Sequence, residues 1–116
     1  MTNRRRHRRV ALAATATLAF SGEKGVQSVQ TMIADISLCG VGVYSDDPIK
    51  EDIDLSIQIN FISPGGVMRT DSMEGRTVYA RPIRNIYFIG IEFDSEISPS
   101  GQPFLYEHLQ RSLQCD

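Results

Sequence analysis

The residues best suited to chemistry are five arginines crowded into six positions, Arg4, Arg5, Arg6, Arg8 and Arg9, and a later group made of Asp35, Ser37 and Gly40. A guanidinium is a planar, permanently charged fork of N–H donors that matches the paired acceptors of a phosphate, a carboxylate or the outer edge of guanine. A carboxylate accepts from donor-only edges, a hydroxyl gives one hydrogen bond to an anion, and glycine lets a backbone come close to a ligand. Such a set binds; it does not turn over a substrate. The only histidines are His7 and His108, and neighbouring Glu107 points away from His108 if both lie on a helix. Ser37 sits in no nucleophile elbow, and no phosphate-cradling glycine loop precedes a helix. Cys39 and Cys115 lack CxxC spacing, so a zinc site is not expected and both are read as reduced thiols, the alternative being one isolated disulfide. The pairs Asp46–Asp47 and Asp52–Asp54 flank turns without the ligand set of a calcium loop. The expectation is a non-enzyme without metal.

The arginine run admits three readings: the basic head of an export signal, a tail that binds nucleic acid, or an arm reserved for one small anionic ligand. The segment after it decides against export. Val10, Leu12, Ala14, Ala16, Leu18 and Phe20 fall on one face, with Ala11, Ala13, Thr15, Thr17 and Ala19 on the other, and that period of two belongs to a strand. No other stretch is long or apolar enough to span a membrane, and a cytoplasmic monomer is expected. Charge weighs against nucleic acid. The formal net charge is -2, but the arm holds five of the 12 basic groups, leaving seven against 14 acidic ones, a body of −7. Proteins that coat nucleic acid spread lysine and arginine over a face instead.

The elements that must position these residues follow from apolar periodicity. With 116 residues the chain is one domain with a single core. After the first strand, Ser21–Gly25 reads as a five-residue hairpin turn, and VQSVQTMIADIS as the returning strand. GVGVYS is a short strand beginning at Gly40. In IDLSIQINF the residues Ile53, Leu55, Ile57, Ile59 and Phe61 alternate strictly with polar ones. Val67–Ala80 reads as a long strand with a bulge or bend at Gly75; ARPIRN turns the chain, and IYFIGIEF returns it. Phe104, Leu105, Leu109 and Leu113 then share a helical stripe, with Glu107 and Arg111 as an i,i+4 pair. The fold class is therefore mainly β: a six-stranded antiparallel barrel with a C-terminal helix. Its parts are a flexible arginine-rich arm over 1–9, the barrel over 10–98, and the helix and tail over 99–116.

Centring the first hairpin on Glu23 places Val10 opposite Ile36 and Arg9 opposite Ser37, so the arm meets the sequence DISLCG at one sheet edge. Spacing leaves two interpretations of that meeting. Either Asp35 and Ser37 shape a turn, Gly40 supplies a positive φ and the arginines are solvated, or the cluster is a ligand site.

Arg5-Arg6-His7-Arg8-Arg9 fits RxxxR, and Asp35-Ile36-Ser37-Leu38-Cys39-Gly40 fits [D/N]xSxxG about 25 residues later. Together they resemble the two signature motifs of the PilZ domain, the bacterial receptor module for cyclic di-GMP, and GRTVYA (Gly75–Ala80) and GIEF (Gly90–Phe93) resemble its closing strands. The likeness covers nearly the whole chain and is that of a stand-alone, single-domain member. It implies that Arg5 and Arg9 hold guanine edges or phosphates, that Asp35 accepts from a guanine, that Ser37 donates to a phosphate, and that Gly40 admits the backbone. It further implies that Arg4 serves the second molecule of an intercalated ligand dimer, and that Tyr79 stands where some relatives stack a tryptophan on guanine. Tyr79 also reads as a half-buried strand aromatic, and Arg6 and Arg8 as phosphate contacts or a source of potential.

The function so implied is a receptor or adaptor. Ligand phosphates quench the repulsion within the arm, the arm folds onto the barrel, and an unidentified downstream protein reads the changed surface. The alternatives are a nucleic-acid-binding barrel with a basic tail and a PilZ-like module that works through protein contacts without nucleotide. Motility, surface attachment, polysaccharide secretion and virulence are the processes that the resemblance makes plausible.

Overall fold

Strand-period alternation of apolar side chains gives this chain one continuous interior. The computed structural model describes residues 9–114. It comprises β1 (Ala14–Gly22), β2 (Gly25–Ile36), β3 (Gly40–Ser45), β4 (Asp54–Ile62), β5 (Met68–Ile83), β6 (Ile86–Phe93) and α1 (Pro103–Gln114). Apart from Arg9, the arm expected over residues 1–9 lies outside the described residues, as do Cys115 and the side chain of Leu113. Leu12, Ala16 and Leu18 on the first segment, Leu55, Ile57, Ile59 and Phe61 on β4, and Ile89, Ile91 and Phe93 on β6 face one core, which Leu105 and Leu109 of α1 complete. Phe104 of the expected helical stripe stays largely outside. Glu107 and Arg111 form the i,i+4 pair, at 3.0 Å.

The strands are all antiparallel and close into a barrel in the order β1-β2-β3-β6-β5-β4. This is not the simple succession that short turns between consecutive strands suggest. β4 pairs with β1 and β5, so β3 is left to pair with β6, and residues 46–53 carry the chain from one to the other. Thr77 holds that connection. Its hydroxyl donates to the Lys50 carbonyl at 2.7 Å and accepts from the Ile53 amide at 2.9 Å, and its own main-chain groups bond Asp52 and Ile53. Thr77 is completely buried, so each of these groups depends on the others for satisfaction.

Three local expectations change. The first hairpin turns on two residues, Glu23 and Lys24, with Gly22 opposite Gly25, so its register is displaced by one residue from a centre at Glu23. Gly25, at φ 98, supplies the left-handed backbone that lets the turn be so tight. The displacement is absorbed before β1 begins: Ala11–Ala13 are unpaired, and beyond them Val10 does meet Ile36. In β5 the register shift lies between Thr77 and Tyr79, at Val78, and not at Gly75. Gly75 is instead a point of close approach, where a Cβ would lie 2.6 Å from the Glu92 carbonyl oxygen. Finally, ARPIRN is mostly strand: β5 runs through Ile83 and the turn is Arg84–Asn85.

The helix takes its N-terminal cap from another element. Asp71, on the interior face of β5, accepts the Leu105 amide proton at 2.7 Å. Burial raises its carboxyl above the ordinary 3.8, and the Leu105 and Phe104 amides pull only partly against that rise. A folded-state value above the unfolded one means that the folded protein holds the proton more tightly, so the stability contributed is full below 3.8 and is lost as pH rises through the raised value.

Two stability measurements follow. Asp71→Asn keeps an acceptor for Leu105 without the charge; in denaturant titrations from about pH 3 to about pH 7 the variant gains on the wild type as pH rises, whereas Asp71→Ala starts about 1 kcal/mol below the wild type at low pH as an uncapped helix and narrows that deficit over the same range, having lost the same titrating group. Thr77→Val, equal in shape but unable to bond, leaves the Lys50 carbonyl and the Ile53 amide unpartnered and is expected to cost about 1–3 kcal/mol; an unchanged denaturation midpoint would show that the connection does not depend on it.

Candidate functional site

The site begins with two main-chain hydrogen bonds. Val10 and Ile36 exchange N–H···O bonds of 2.9 Å in both directions, which ties the start of the described chain to the end of β2. Arg9 therefore starts beside Asp35, and its guanidinium donates from Nε at 3.1 Å and from Nη2 at 2.8 Å to the same oxygen, Asp35 Oδ1. Neither side chain is buried: Arg9 is 24% and Asp35 38% exposed, so the pair stands in a partly wet environment. Both donors land on Oδ1, and among the described residues Oδ2 accepts no hydrogen bond.

Room for the pair comes from glycine. Asp35 lies opposite Gly42 of β3 after a register shift in the β2–β3 ladder. A Cβ on Gly42 would lie 3.0 Å from Asp35 Oδ1 and 2.8 Å from the Phe88 ring. Across the next ladder, Gly90 does the same for Tyr79, whose ring covers it so closely that a Cβ would lie 2.5 Å away. The Val78 bulge aims Tyr79 here, since two residues of β5 occupy the space opposite one of β6. Tyr79 then packs 5.8 Å from Phe88, with the Arg81 guanidinium 5.5 Å from its ring centre.

These residues wall a pocket of about 400 Å³. Its lining is Arg9, Asp35, Cys39 and Gly40, with Val78 and Tyr79 from β5 and Phe88, Gly90, Ile91 and Glu92 from β6. Its described lining carries one cation against two carboxylates, Asp35 and Glu92. A wider concavity of about 770 Å³ lies between the first hairpin and the crossover connection, but the Lys50–Glu23 pair in its lining, at 4.0 Å, is largely exposed.

The sequence-derived residues divide accordingly. Arg9, Asp35, Gly40 and Tyr79 come together around the pocket. Arg4, Arg5, Arg6 and Arg8 lie outside the described residues. Ser37 is next to the pocket but turned into its own loop: its amide donates to the Gly40 carbonyl at 2.9 Å, its Oγ accepts the Cys39 amide at 3.3 Å, and only 2% of it is exposed. Gly40 has no positive φ; it begins β3, where a Cβ would lie 2.7 Å from the Ile91 carbonyl oxygen, so close strand packing explains it. Phe88 and Gly42 carry no sequence signal, and Gly90 and Glu92 only that of GIEF as a closing strand, because nothing local marks which outward residues of β3 and β6 adjoin Asp35. Their signal is the pairing itself, GVG against FIGIE.

His108 lies elsewhere, edge-on to Phe61 at 5.4 Å. Among the described residues no three His, Cys, Asp or Glu side chains are arranged to hold a metal ion, and no helix is long and apolar enough to cross a membrane.

Comparison with known proteins places this architecture. Among solved structures, an inhibitor of motility from Bacillus subtilis (MotI/DgrA) superposes with a TM-score of 0.72 at 17% identity over 97% of this chain; the chain spans 53% of that protein's length. The PilZ domain of YcgR from Escherichia coli, solved with c-di-GMP, superposes with a TM-score of 0.66 at 14% identity, covering 97% of this chain and 95% of that one. A comparison with curated proteins returns no match. The family model of the PilZ domain matches residues 3–114, from the residue before the arginine run to the last turn of α1, and the chain belongs to that family.

Proposed function

We propose that this chain is a cyclic di-GMP receptor that signals to a partner protein through its arginine-rich arm. The observation that carries the reading is the Arg9–Asp35 pair held at the wall of the β2–β3–β6–β5 pocket. It presents a guanidinium fork and a carboxylate side by side and part-exposed. Guanine offers acceptors, O6 and N7, on one edge and donors on another, so an adjacent fork and carboxylate suit it better than adenine. Family membership and the c-di-GMP bound to the E. coli neighbour support the same ligand.

Each residue then has a role. Arg9 leaves its bond to Asp35 in part and takes a guanine edge or a phosphate; Asp35 accepts from a guanine through Oδ2. Tyr79, with Phe88 behind it, offers an aromatic face for stacking. Ser37 and Gly40 set the loop, and Ser37 reaches a phosphate only by releasing its weak 3.5 Å contact to the Gly40 carbonyl. Arg4, Arg5 and Arg6 supply the positive charge that the pocket lacks, because one cation against two carboxylates repels a dinucleotide with two phosphates. Arg4 is the residue that serves a second, intercalated ligand molecule. Output is a change in arm position, which a downstream protein reads; the Bacillus neighbour, an inhibitor of motility, illustrates that kind of output.

Calorimetric titration with cyclic di-GMP tests the reading. Arg9→Ala and Asp35→Ala should each weaken binding tenfold or more, as expected for about 1–3 kcal/mol per base contact, and Asp35→Ala should also erode the preference over cyclic di-AMP. Wild-type affinity in both variants, or no saturable binding at low salt, overturns the assignment. Removal of residues 1–8 should abolish measurable binding while leaving the denaturation midpoint unchanged; full affinity in the truncated chain would show that the arm is not part of the site.

A further inference from the structure

At the β4–β5 hairpin lies a second constellation that the nucleotide reading does not use. The turn Ser63–Val67 is closed by the Ser63 amide to the Val67 carbonyl at 2.9 Å, the Ser63 hydroxyl to the same carbonyl at 3.0 Å, and the Gly66 amide to the Ser63 carbonyl at 2.8 Å. Gly66 at φ 82 makes this loop geometry possible. A groove of about 230 Å³ separates that turn from α1, lined by Phe61, Val67 and Phe104, by Arg69, and by the mutually paired Glu107 and Arg111, so that Arg69 is its net cation.

Arg69 is the unusual member. Of the described arginines only Arg9 and Arg69 are not exposed. Arg9 has Asp35, Arg76 has Asp54 and Arg111 has Glu107. Arg69 is held 4.7 Å over the Phe104 ring and, among the described residues, has neither an ion pair nor a hydrogen-bond acceptor. A half-desolvated guanidinium without a counter-ion is costly, and stacking on an aromatic face fixes its plane while leaving the N–H edge available. The hairpin around it also exposes Ile62, Val67 and Met68, three large apolar side chains that a folded monomer has reason to cover. This is a local cation with an apolar rim on a body whose charge outside the arm is −7.

We propose that this groove docks a segment of a partner protein that presents a carboxylate next to an apolar side chain. The carboxylate pairs with the open edge of Arg69, and the apolar group enters between Val67 and Phe104. Charge complementarity selects this occupant: a neutral apolar segment leaves Arg69 unpaired, and a basic one is repelled. The site stands apart from the nucleotide pocket, since Arg69 and Tyr79 lie on β5 roughly 30 Å apart along the strand, and it does not depend on nucleotide binding.

The test uses the full chain and phenylpropionate as the probe, followed by proton–nitrogen correlation spectra that include the arginine Nε–H signals. Saturable shifts are expected at Arg69 Nε–H and at the Gly65, Gly66, Val67 and Phe104 amides. The neutral isostere phenylpropionamide and the Arg69→Gln variant should each bind at least about tenfold more weakly, with Arg69→Lys between them because it keeps the charge without the fork. Phe104→Ala weakens binding while leaving the charge in place, which covers the case of a misfolded Arg69→Gln. Equal binding of acid and amide, unaltered binding in Arg69→Gln, or no saturable shift at these residues overturns the proposal. Cyclic di-GMP titrated into Arg69→Gln should bind as in the wild type, so failure here and failure of the receptor reading are separable.

Discussion

The reciprocal bonds between Val10 and Ile36 are the constraint on which the rest of the site depends. A charged arm attached to a barrel has no inherent reason to lie anywhere, because adjacent guanidinium groups repel one another and have no apolar anchor. Two main-chain hydrogen bonds fix the residue next to Arg9 at the end of β2 and so limit the space that its guanidinium can search. The Arg9–Asp35 ion pair is a consequence of that placement. Part-exposed as it is, it adds little to stability on its own; what it provides is a defined orientation.

Glycine makes the surface around that pair possible. Gly42 and Gly90 face outward where Asp35, Phe88 and Tyr79 need to lie flat against the sheet, and Gly40 and Gly75 let neighbouring backbones close up where a Cβ would meet a carbonyl oxygen. Each absence of a side chain gives up some β-propensity. The return is a shallow pocket on the outside of a small barrel whose interior is already filled. A barrel of this size has no internal cavity for a nucleotide, so a site has to be carved from the outer faces of its strands and closed by something appended.

Charge is distributed to match. The body is acidic, its pocket lining is net negative among the described residues, and nearly half of the basic groups sit in the arm. The pocket wall alone therefore has little attraction for phosphates, and in the proposed mechanism affinity and conformational change share one cause, the arrival of the arginines. On the body, Arg69 is half-buried and stacked on Phe104 at the opposite reach of β5, and it is a candidate point of contact for a different kind of partner.

The strands and the helix were legible in the sequence because local rules determine them. Strict alternation in IDLSIQINF gives β4, the change from period two to a helical stripe marks α1, and the bounds of β3 and β6 fall where the sequence places them. The motif residues Arg9, Asp35, Gly40 and Tyr79 were legible too, as types at a spacing. Their assembly was not, since hydrogen-bond partners distant in sequence choose it. The turn at Glu23–Lys24 slips the hairpin register by one, and the unpaired stretch Ala11–Ala13 restores the Val10–Ile36 meeting. The bulge falls at Val78 because Thr77, buried and bonded to the crossover, stays in register with Ile91 while Tyr79 pairs with Gly90. Above all, the sequence by itself determined that six strands would form around one core and that Arg9 would come to the end of the second. Only the tertiary structure decided that β6, not β4, lies beside β3, because barrel closure lets β1 claim β4, and that choice brings Phe88, Gly90 and Tyr79 next to Asp35.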